Sequence, residues 1–413
     1  MSHPRPHDTW AATVPCEPSP AAAVRRVTLH RVRLPLRQLY VSSKYVMNEV
    51  FRTVIEVETD DGCVGIGEAP GHDEVVELVG RVARGLIGRN PLERAPLQHA
   101  FASSIFNNGN GRNGWSAYGG VETALWDWAG HHFGVCAADL IGQRTRQAVQ
   151  VACPVPAVVL DHPQPRHALP ALFRDSSRID GVVEYCMRQR AEHGFSCFKY
   201  KSAGLDGGWD VRLMAALRQA LGPEVALRWD PNAAYPVAEA TALCGRMEDL
   251  GLEFYEDPTD DISGMASLRS RVRTPLATNM CVIQLDHLAS AIRRRPADVL
   301  LVDVYMWGGI ENLLRMAATA DAYEFQVGIH SFFETGIGTA VNLHLAAALP
   351  QIRHANDCGY HVLGADVLRP GTLDTRNGMM GVPTGPGWGV EVDRDALTEL
   401  SVSTVVIDEG LAA

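Results

Sequence analysis

Nothing in the 413 residues approaches the uninterrupted apolar run of about 20 that a membrane-spanning helix needs. The opening stretch, MSHPRPHDTWAATVPCEPSP, also lacks the apolar centre of a secretory signal. A cytoplasmic protein is expected, with residues 1–25 a loose Pro-rich tail. Positive charge is scarce: 37 Lys and Arg against 48 Asp and Glu give a net charge of -11. Nucleic acids and anionic membranes reward clustered cations, so neither is expected as a partner. The run Arg293, Arg294, Arg295 reads as a solvated C-terminal helix end, where cations suit the dipole. The nine cysteines include no C-x-x-C, which argues for small buried thiols in a reducing compartment. GIGEAPG does not have the spacing of a dinucleotide fingerprint, and Pro70 spoils the helix start that such a motif requires.

What is present is an average globular composition, 46% hydrophobic and 21% charged, on a chain too long for one ordinary core. VRLPL and FRTVIEVETDDGCVGIGEA read as strands, the latter folded at Asp60, Asp61 and Gly62. In GGVETALWDWAGHHFG, Val121, Leu125 and Trp128 recur at helical spacing and Gly134 can stop the helix. Residues 26–150 are therefore expected to form an α+β domain. Beyond them short apolar strands alternate with helices: VACPVPAV, SCFKYKSAG, ALRWDPNAAY, LEFYEDPTD, TPLATNM, DVLLVDVYMWGG, FQVGIHSFFETG and RHANDCGYH. The repeat is about 25 residues, the length of a strand and its helical crossover. Eight such strands fit a closed (β/α) barrel better than an open sheet.

Polar residues recur at the C-terminal ends of these strands: Lys199 and Lys201, Asp230 and Asn232, Glu256, Asn279, Asp303, His330 and Asp357. In a barrel those ends surround one mouth, where the active sites of such enzymes lie. Asp230, Glu256 and Asn279 are three oxygen donors on successive strands, which suits Mg²⁺. Asp303, one strand from His330, can accept an imidazole proton and raise the basicity of the other ring nitrogen. Abstracting a proton α to a carboxylate needs a base and a cationic environment for the dianionic enediolate. Lys201 can be the base if Lys199 and the metal lower its pKa. Lys201 and His330, on opposite sides of the barrel, would then address opposite faces of a bound carboxylate.

FKYK, RWDPNAAY, FYEDP, LATNM, GIHS, ETALWDWAGHHFG and the closing VPTGPGWGVEVDRDAL resemble the enolase superfamily, in its mandelate racemase branch and glucarate dehydratase-like subgroup. The resemblance runs from about residue 26 to the end, and LATNM carries most weight because that subgroup uses Asn as the third metal ligand. It implies an α/β fold: a modified TIM barrel, (β/α)₇β, over residues 151–365, an N-terminal α+β capping domain, and a segment 366–413 that returns to the cap. It further implies Lys199 as electrostatic partner of Lys201, His330 with Asp303 as second base and acid, and Asn232 hydrogen-bonded to substrate or intermediate. Asp357 and Ser331 are implied as substrate contacts.

The distal half departs from hexarate dehydratases. The cap loop SKYVMNEVFRT places Val46 and Met47 where the subgroup has His, the first barrel strand has no Tyr, and Gly359 stands where a His is expected. Phe332 and Phe333 suggest a less polar pocket, and Lys44, Asn48 and Arg52 are candidate substrate contacts from the cap. The leading expectation is a Mg²⁺-dependent dehydratase of an acid sugar or related α-hydroxy carboxylate. A racemase or epimerase with two opposed bases is the alternative, and a catalytically silent metal-binding scaffold the second alternative. A homo-oligomer is expected.

Overall fold

The computed structural model describes residues 22–105, 111–160 and 168–410. The chain begins with antiparallel strands β1 (Val24–Val41), β2 (Val46–Thr59) and β3 (Val64–Pro70). Val24 and Arg25 therefore belong to a strand rather than to the expected tail, whose residues 1–21 lie outside the described residues. The fold between β2 and β3 falls at Asp60, Asp61 and Gly62, with Gly62 at φ 83 in the left-handed region that favours glycine.

Helices α1 (Asp73–Leu86), α2 (Arg94–Ile105), α3 (Gly111–Phe133) and α4 (Ala137–Ile141) follow. Val121, Leu125 and Trp128 of α3 are buried, and Gly134 ends that helix at φ 67. The glycines of GIGEAPG serve this packing: a Cβ on Gly65 would lie 2.2 Å from the Ala124 carbonyl oxygen, and one on Gly67 2.5 Å from Ala124 N. Only a bare backbone lets β3 and α3 approach so closely.

The second body alternates strand and helix. Its elements are β4 (Ala148–Val155), α5 (Leu169–Leu172), α6 (Ser177–His193), β5 (Cys197–Lys201), α7 (Gly207–Leu221), β6 (Ala226–Asp230) and α8 (Val237–Met247). They continue with β7 (Phe254–Glu256), α9 (Ile262–Arg269), β8 (Leu276–Thr278), α10 (Leu288–Arg294) and β9 (Val299–Val302). α11 (Ile310–Ala322), β10 (Gln326–Ile329), α12 (Gly336–Ala348) and β11 (Asn356–Asp357) complete it. Strands β4 to β10 run parallel in sequence order. β11 pairs with β4, and the segment before it meets β10 at the bridge between Val327 and Ile352, so the eighth strand sits between the first and the seventh. The architecture is an α/β barrel with an N-terminal cap.

The tail of the chain holds β12 (Thr375–Arg376), β13 (Met379–Gly381), α13 (Arg394–Leu400) and β14 (Ser401–Asp408). β13 runs antiparallel to the start of β4, an addition the strand count does not anticipate. β14 returns to β1 and completes a cap sheet of order β14-β1-β2-β3. On the way, Trp388 is buried: its backbone N–H donates to Asp127 Oδ1 at 2.6 Å and its indole N–H to Ile66 O at 3.2 Å and Thr123 O at 3.1 Å.

Two cap carboxylates seat the cap on the barrel mouth. Glu68 of β3 accepts from the N–H of Thr335 at 3.1 Å and of Gly338 at 2.9 Å, at the start of α12. Glu122 of α3 accepts from the Ile310 N–H that opens α11. Helix N-termini carry unsatisfied donors and partial positive charge, so both contacts are favourable. They fix the cap over the ends of β9 and β10. Among the described residues no helix is long and apolar enough to cross a membrane.

Candidate active site

Alternation along β5 turns Lys199 and Lys201 into the barrel and Phe198 and Tyr200 toward the helices. All five residues of the strand are buried, so the lysines form no solvated edge. Lys201 stands in register with Asp230 and donates to its Oδ2. Lys199 Nζ lies 2.6 Å from Glu256 Oε1, 2.5 Å from Asp357 Oδ2 and 3.3 Å from Asp230 Oδ2. Burial and Lys199 both favour the neutral amine of Lys201, but the Asp230 carboxylate outweighs them and holds the ammonium above its ordinary range. The expected lowering is thus overridden by the very carboxylate proposed for the metal.

Asp230 and Glu256 end β6 and β7, and Asn279 follows β8 directly. Glu256 Oε2 and Asn279 Oδ1 are buried and have no hydrogen-bond partner. Burial and the neighbouring Asp230 push the Glu256 carboxyl well above its usual range. Unpaired buried oxygens and crowded carboxylates are costly, and a hard divalent cation relieves both. Among the described residues no three His, Cys, Asp or Glu side chains are arranged to hold a metal. The fit therefore rests on two carboxylates plus an amide oxygen, a set suited to Mg²⁺ rather than zinc. Asp257, pushed up to about 7 by burial, accepts from the Thr278 hydroxyl at 2.5 Å and from Asn279 N–H at 2.8 Å, and so aims the strand end that carries the amide.

Behind the lysines, the carboxylate of Asp210 in α7 gathers four donors. Tyr200 OH (2.9 Å), Ser202 OH (2.6 Å), the Trp229 indole N–H (3.0 Å) and Tyr235 OH (2.9 Å) all reach it. Tyr200 and Ser202 flank Lys201, and Trp229 precedes Asp230. One buried carboxylate thereby locks the two strands whose inward faces carry the charges.

His330 follows β10 and Asp303 follows β9, with Nδ1 3.6 Å from Asp303 Oδ2, just beyond hydrogen-bond length. Asp303 Oδ1 accepts from the N–H groups of Tyr305 (2.9 Å) and Met306 (2.8 Å), while Oδ2 has no other partner. Burial, reinforced by Lys199, Lys201 and Arg112, drives the imidazole well below its ordinary pKa, so His330 rests neutral. Burial raises Asp303 to about 7. Glu334 accepts from Ser331 OH at 2.6 Å and Phe332 N–H at 2.7 Å, and fixes the loop that begins at His330.

Asn232 occupies a left-handed conformation, φ 50, with its N–H donated to Asp230 Oδ1 at 2.9 Å, and its buried Oδ1 is unpaired. Asp357 accepts from Arg228 at 3.0 Å as well as from Lys199, an ion pair on each oxygen. Ser331 receives the Gly359 N–H at 2.9 Å and so ties the loops after the seventh and eighth strands. Arg52 is buried, with Nε 2.5 Å from Glu68 Oε1 and its guanidinium 4.8 Å from the Tyr305 ring centre. Its charge is thus already committed to the seam between cap and barrel. Lys44, in the turn between β1 and β2, and Asn48, early in β2, are exposed. Lys199, Lys201, Ser331 and Asp357 share one small recess with Tyr40 and Tyr45, while Arg52 lines a larger cavity that shares Tyr45 and Phe333 with it.

Three residues escape the sequence reading. Arg228 is fully buried and also donates to Glu253 at 2.7 Å and Ala355 O at 2.9 Å. It lies two residues before Asp230, so strand alternation would have placed it inward. Glu334 and Arg112 sit in a loop and near a helix start, where no periodicity marks them.

Two family descriptions match the chain: "Mandelate racemase / muconate lactonizing enzyme, N-terminal domain" over residues 24–142 and "Enolase C-terminal domain-like" over residues 181–396. The chain is 31% identical over 365 residues to the "Probable glucarate dehydratase" of Streptomyces coelicolor, covering 84% of each. It is 28% identical to the "D-galactarolactone cycloisomerase" of Agrobacterium fabrum, over 90% of this chain and 95% of that one. Among solved structures, an enolase from Thermobispora bispora complexed with magnesium and formate aligns with TM-score 0.83 at 32% identity, covering 92% of both chains.

Proposed function

The chain belongs to the enolase superfamily, in its mandelate racemase / muconate lactonizing enzyme branch, and we propose that it is a Mg²⁺-dependent hydro-lyase acting on an α,β-dihydroxy carboxylate. The observation that carries this reading is the gathering of Lys201 and the His330 and Asp303 pair on opposite sides of one buried mouth, with the oxygens of Asp230, Glu256 and Asn279 between them in chain order. The dehydratase relative and the magnesium in a structural neighbour point the same way.

Bound by Asp230, Glu256 and Asn279, Mg²⁺ would supply the positive charge that makes the α proton of a carboxylate acidic enough to remove. Neutral at rest, His330 takes that proton on Nε2, and the imidazolium is stabilised by Asp303 across from Nδ1. The same proton then leaves with the β-hydroxyl as water, and the enol left behind tautomerises to a 2-keto acid. His330 thus serves as base and then as acid, the two roles the sequence resemblance implied for it, and takes the first proton in place of Lys201. Lys201 and Lys199 hold the carboxylate end by charge, and Lys201 stands on the side of the opposite α configuration, where it would act as base if Asp230 were engaged as a metal ligand. Water is kept out by the buried walls that also depress His330.

A racemase reading has its own support. A neutral His330 facing a protonated Lys201 is the charge arrangement for removing a proton from one face and returning one to the other. Incubation of the Mg²⁺-loaded protein with a library of hydroxy acids in D₂O separates the two. The expected result is a 2-keto acid from substrates with a β-hydroxyl; α-deuterium in inverted substrate without keto acid would overturn the dehydratase assignment.

A further inference from the structure

We infer that the substrate extends beyond its reacting hydroxy-carboxylate end as an apolar segment that finishes in an anionic group. This rests on the reading above of which end reacts. The first observation is a steric exchange at the mouth. A Cβ on Gly359 would lie 2.8 Å from Phe333 Cα and 2.8 Å from its ring, so no side chain fits at 359 while Phe333 is in place. Phe333 holds that place in a left-handed conformation, φ 59, that is unfavourable for an aromatic residue, with its ring edge-on to Tyr40 at 4.8 Å. The mouth thus has no side chain at 359 after the eighth strand and an aromatic surface after the seventh in the room it would need.

The second observation is the cavity beyond that surface, about 440 Å³, walled for the most part by apolar side chains, Met47, Phe51, Met306, Phe332 and Phe333 among them, with Asn113 and Ser116 among its polar residues. Phe332 also stands edge-on to His330 at 4.4 Å, so the apolar wall begins at the base itself. A polyol chain laid along these Met and Phe side chains would lose hydrogen bonds to water without replacement there, whereas a hydrocarbon chain would gain burial.

The third observation is charge. Two guanidinium groups line the cavity, and that of Arg52 is paired with Glu68. Arg112 forms no ion pair among the described residues, and its charge reaches His330 and Asp303. The cavity's carboxylate, Glu49, lies 4.0 Å from Arg33. Arg112 is therefore the group that receives the anionic terminus, most simply a carboxylate in a bidentate fork.

Calorimetric titration of the Mg²⁺-loaded protein with 2-hydroxyoctanedioate, 2-hydroxyoctanoate and gluconate tests this without requiring turnover. The dianion is expected to bind at least tenfold more tightly than the octanoate, and the octanoate more tightly than gluconate. Arg112→Met should abolish the first gap and leave the second, while Phe332→Ser should narrow the second. Tightest binding of gluconate, or a first gap unchanged in Arg112→Met, overturns the inference. Exchange of the α hydrogen in D₂O, followed on the same samples, reports on the reaction separately. The expected binding order without exchange would uphold the extended substrate and sink the proton-abstraction reading.

Discussion

The two ends of the mouth are held by different forces. Where β5, β6, β7 and β11 meet, Lys199, Lys201, Arg228, Asp230, Glu256 and Asp357 form one interlocked set of buried charges, each fixed by at least one partner. Where β2, α3 and the loop after β10 meet, the walls are mostly apolar, with Met and Phe side chains prominent, and the Arg112 guanidinium there has no ion pair among the described residues. The charged end is over-determined, since removing any member leaves another buried charge uncompensated. At the apolar end the backbone is fixed by Glu334 and by the Arg52–Glu68 pair, but the Met and Phe side chains are held by packing and can be repacked at modest cost. Chemistry is therefore expected to be intolerant of substitution at the first end, and selectivity to be adjustable at the second.

The largest effects are expected among the charges. Lys201→Met and His330→Asn should each lower kcat by about 10²–10⁴-fold, the usual range for losing a positioned acid or base. Circular dichroism should show the fold retained. Wild-type turnover by both variants on a confirmed substrate would break the contrast between the two ends.

A smaller effect should follow from Asp210, which touches no reacting group. Asp210→Asn keeps the side chain's size but replaces one acceptor oxygen by a donor, against four donors that now converge on the carboxylate. The strands that carry Lys201 and Asp230 would lose their common anchor. Mg²⁺ affinity measured by calorimetry is expected to fall about 10–100-fold, as for other residues that orient metal ligands. A merely structural role would lower the melting temperature and leave the affinity of the folded protein unchanged.

How much of this was legible follows from the same contrast. Strand ends at a 25-residue rhythm carry Lys, Asp, Glu, Asn and His because a barrel converges them, so the fold and the charged end could be read from spacing. Arg228 was readable by the same alternation and was passed over. The apolar end has no such rhythm: Arg112 lies on the cap helix, Phe332 and Phe333 in a loop, and Gly359 after a strand of two residues. The two phenylalanines and the glycine were marked only by departure from the resembling family, and Arg112's approach to them is set by how cap and barrel dock, through Glu68 and Glu122, which no local pattern encodes. Arg52 illustrates the limit, since a cap arginine near the mouth reads as a substrate contact until Glu68 is seen beside it.

The pH dependence should join the two ends. His330 must be neutral to act as base, and burial with Lys199, Lys201 and Arg112 sets its pKa well below the imidazole range. The acid limb of kcat/KM is therefore expected well on the acid side of an ordinary imidazole's titration, with activity lost only as pH falls through that depressed value. Removing one cation raises the value, so Arg112→Met should move the limb to higher pH. An unmoved limb would mean that the apolar end does not reach the base.

The smallest predicted effect tests whether the loops after β10 and β11 compete for one space. Gly359→Ala places a methyl 2.8 Å from Phe333 Cα and 2.8 Å from its ring, against strained backbone and a packed aromatic at once. Overpacking of this kind costs about 1–3 kcal/mol, or a few degrees in Tm for a chain of this size. Phe333→Gly relieves the left-handed strain at 333 but forfeits the ring's contact with Tyr40, so it has opposing terms of its own. The informative quantity is their coupling. If Phe333 fills the room that a side chain at 359 would need, Gly359→Ala should cost less in the Phe333→Gly background than alone. Independent sites add within about 0.3–0.5 kcal/mol, and additivity here would separate the aromatic wall from the glycine that makes way for it.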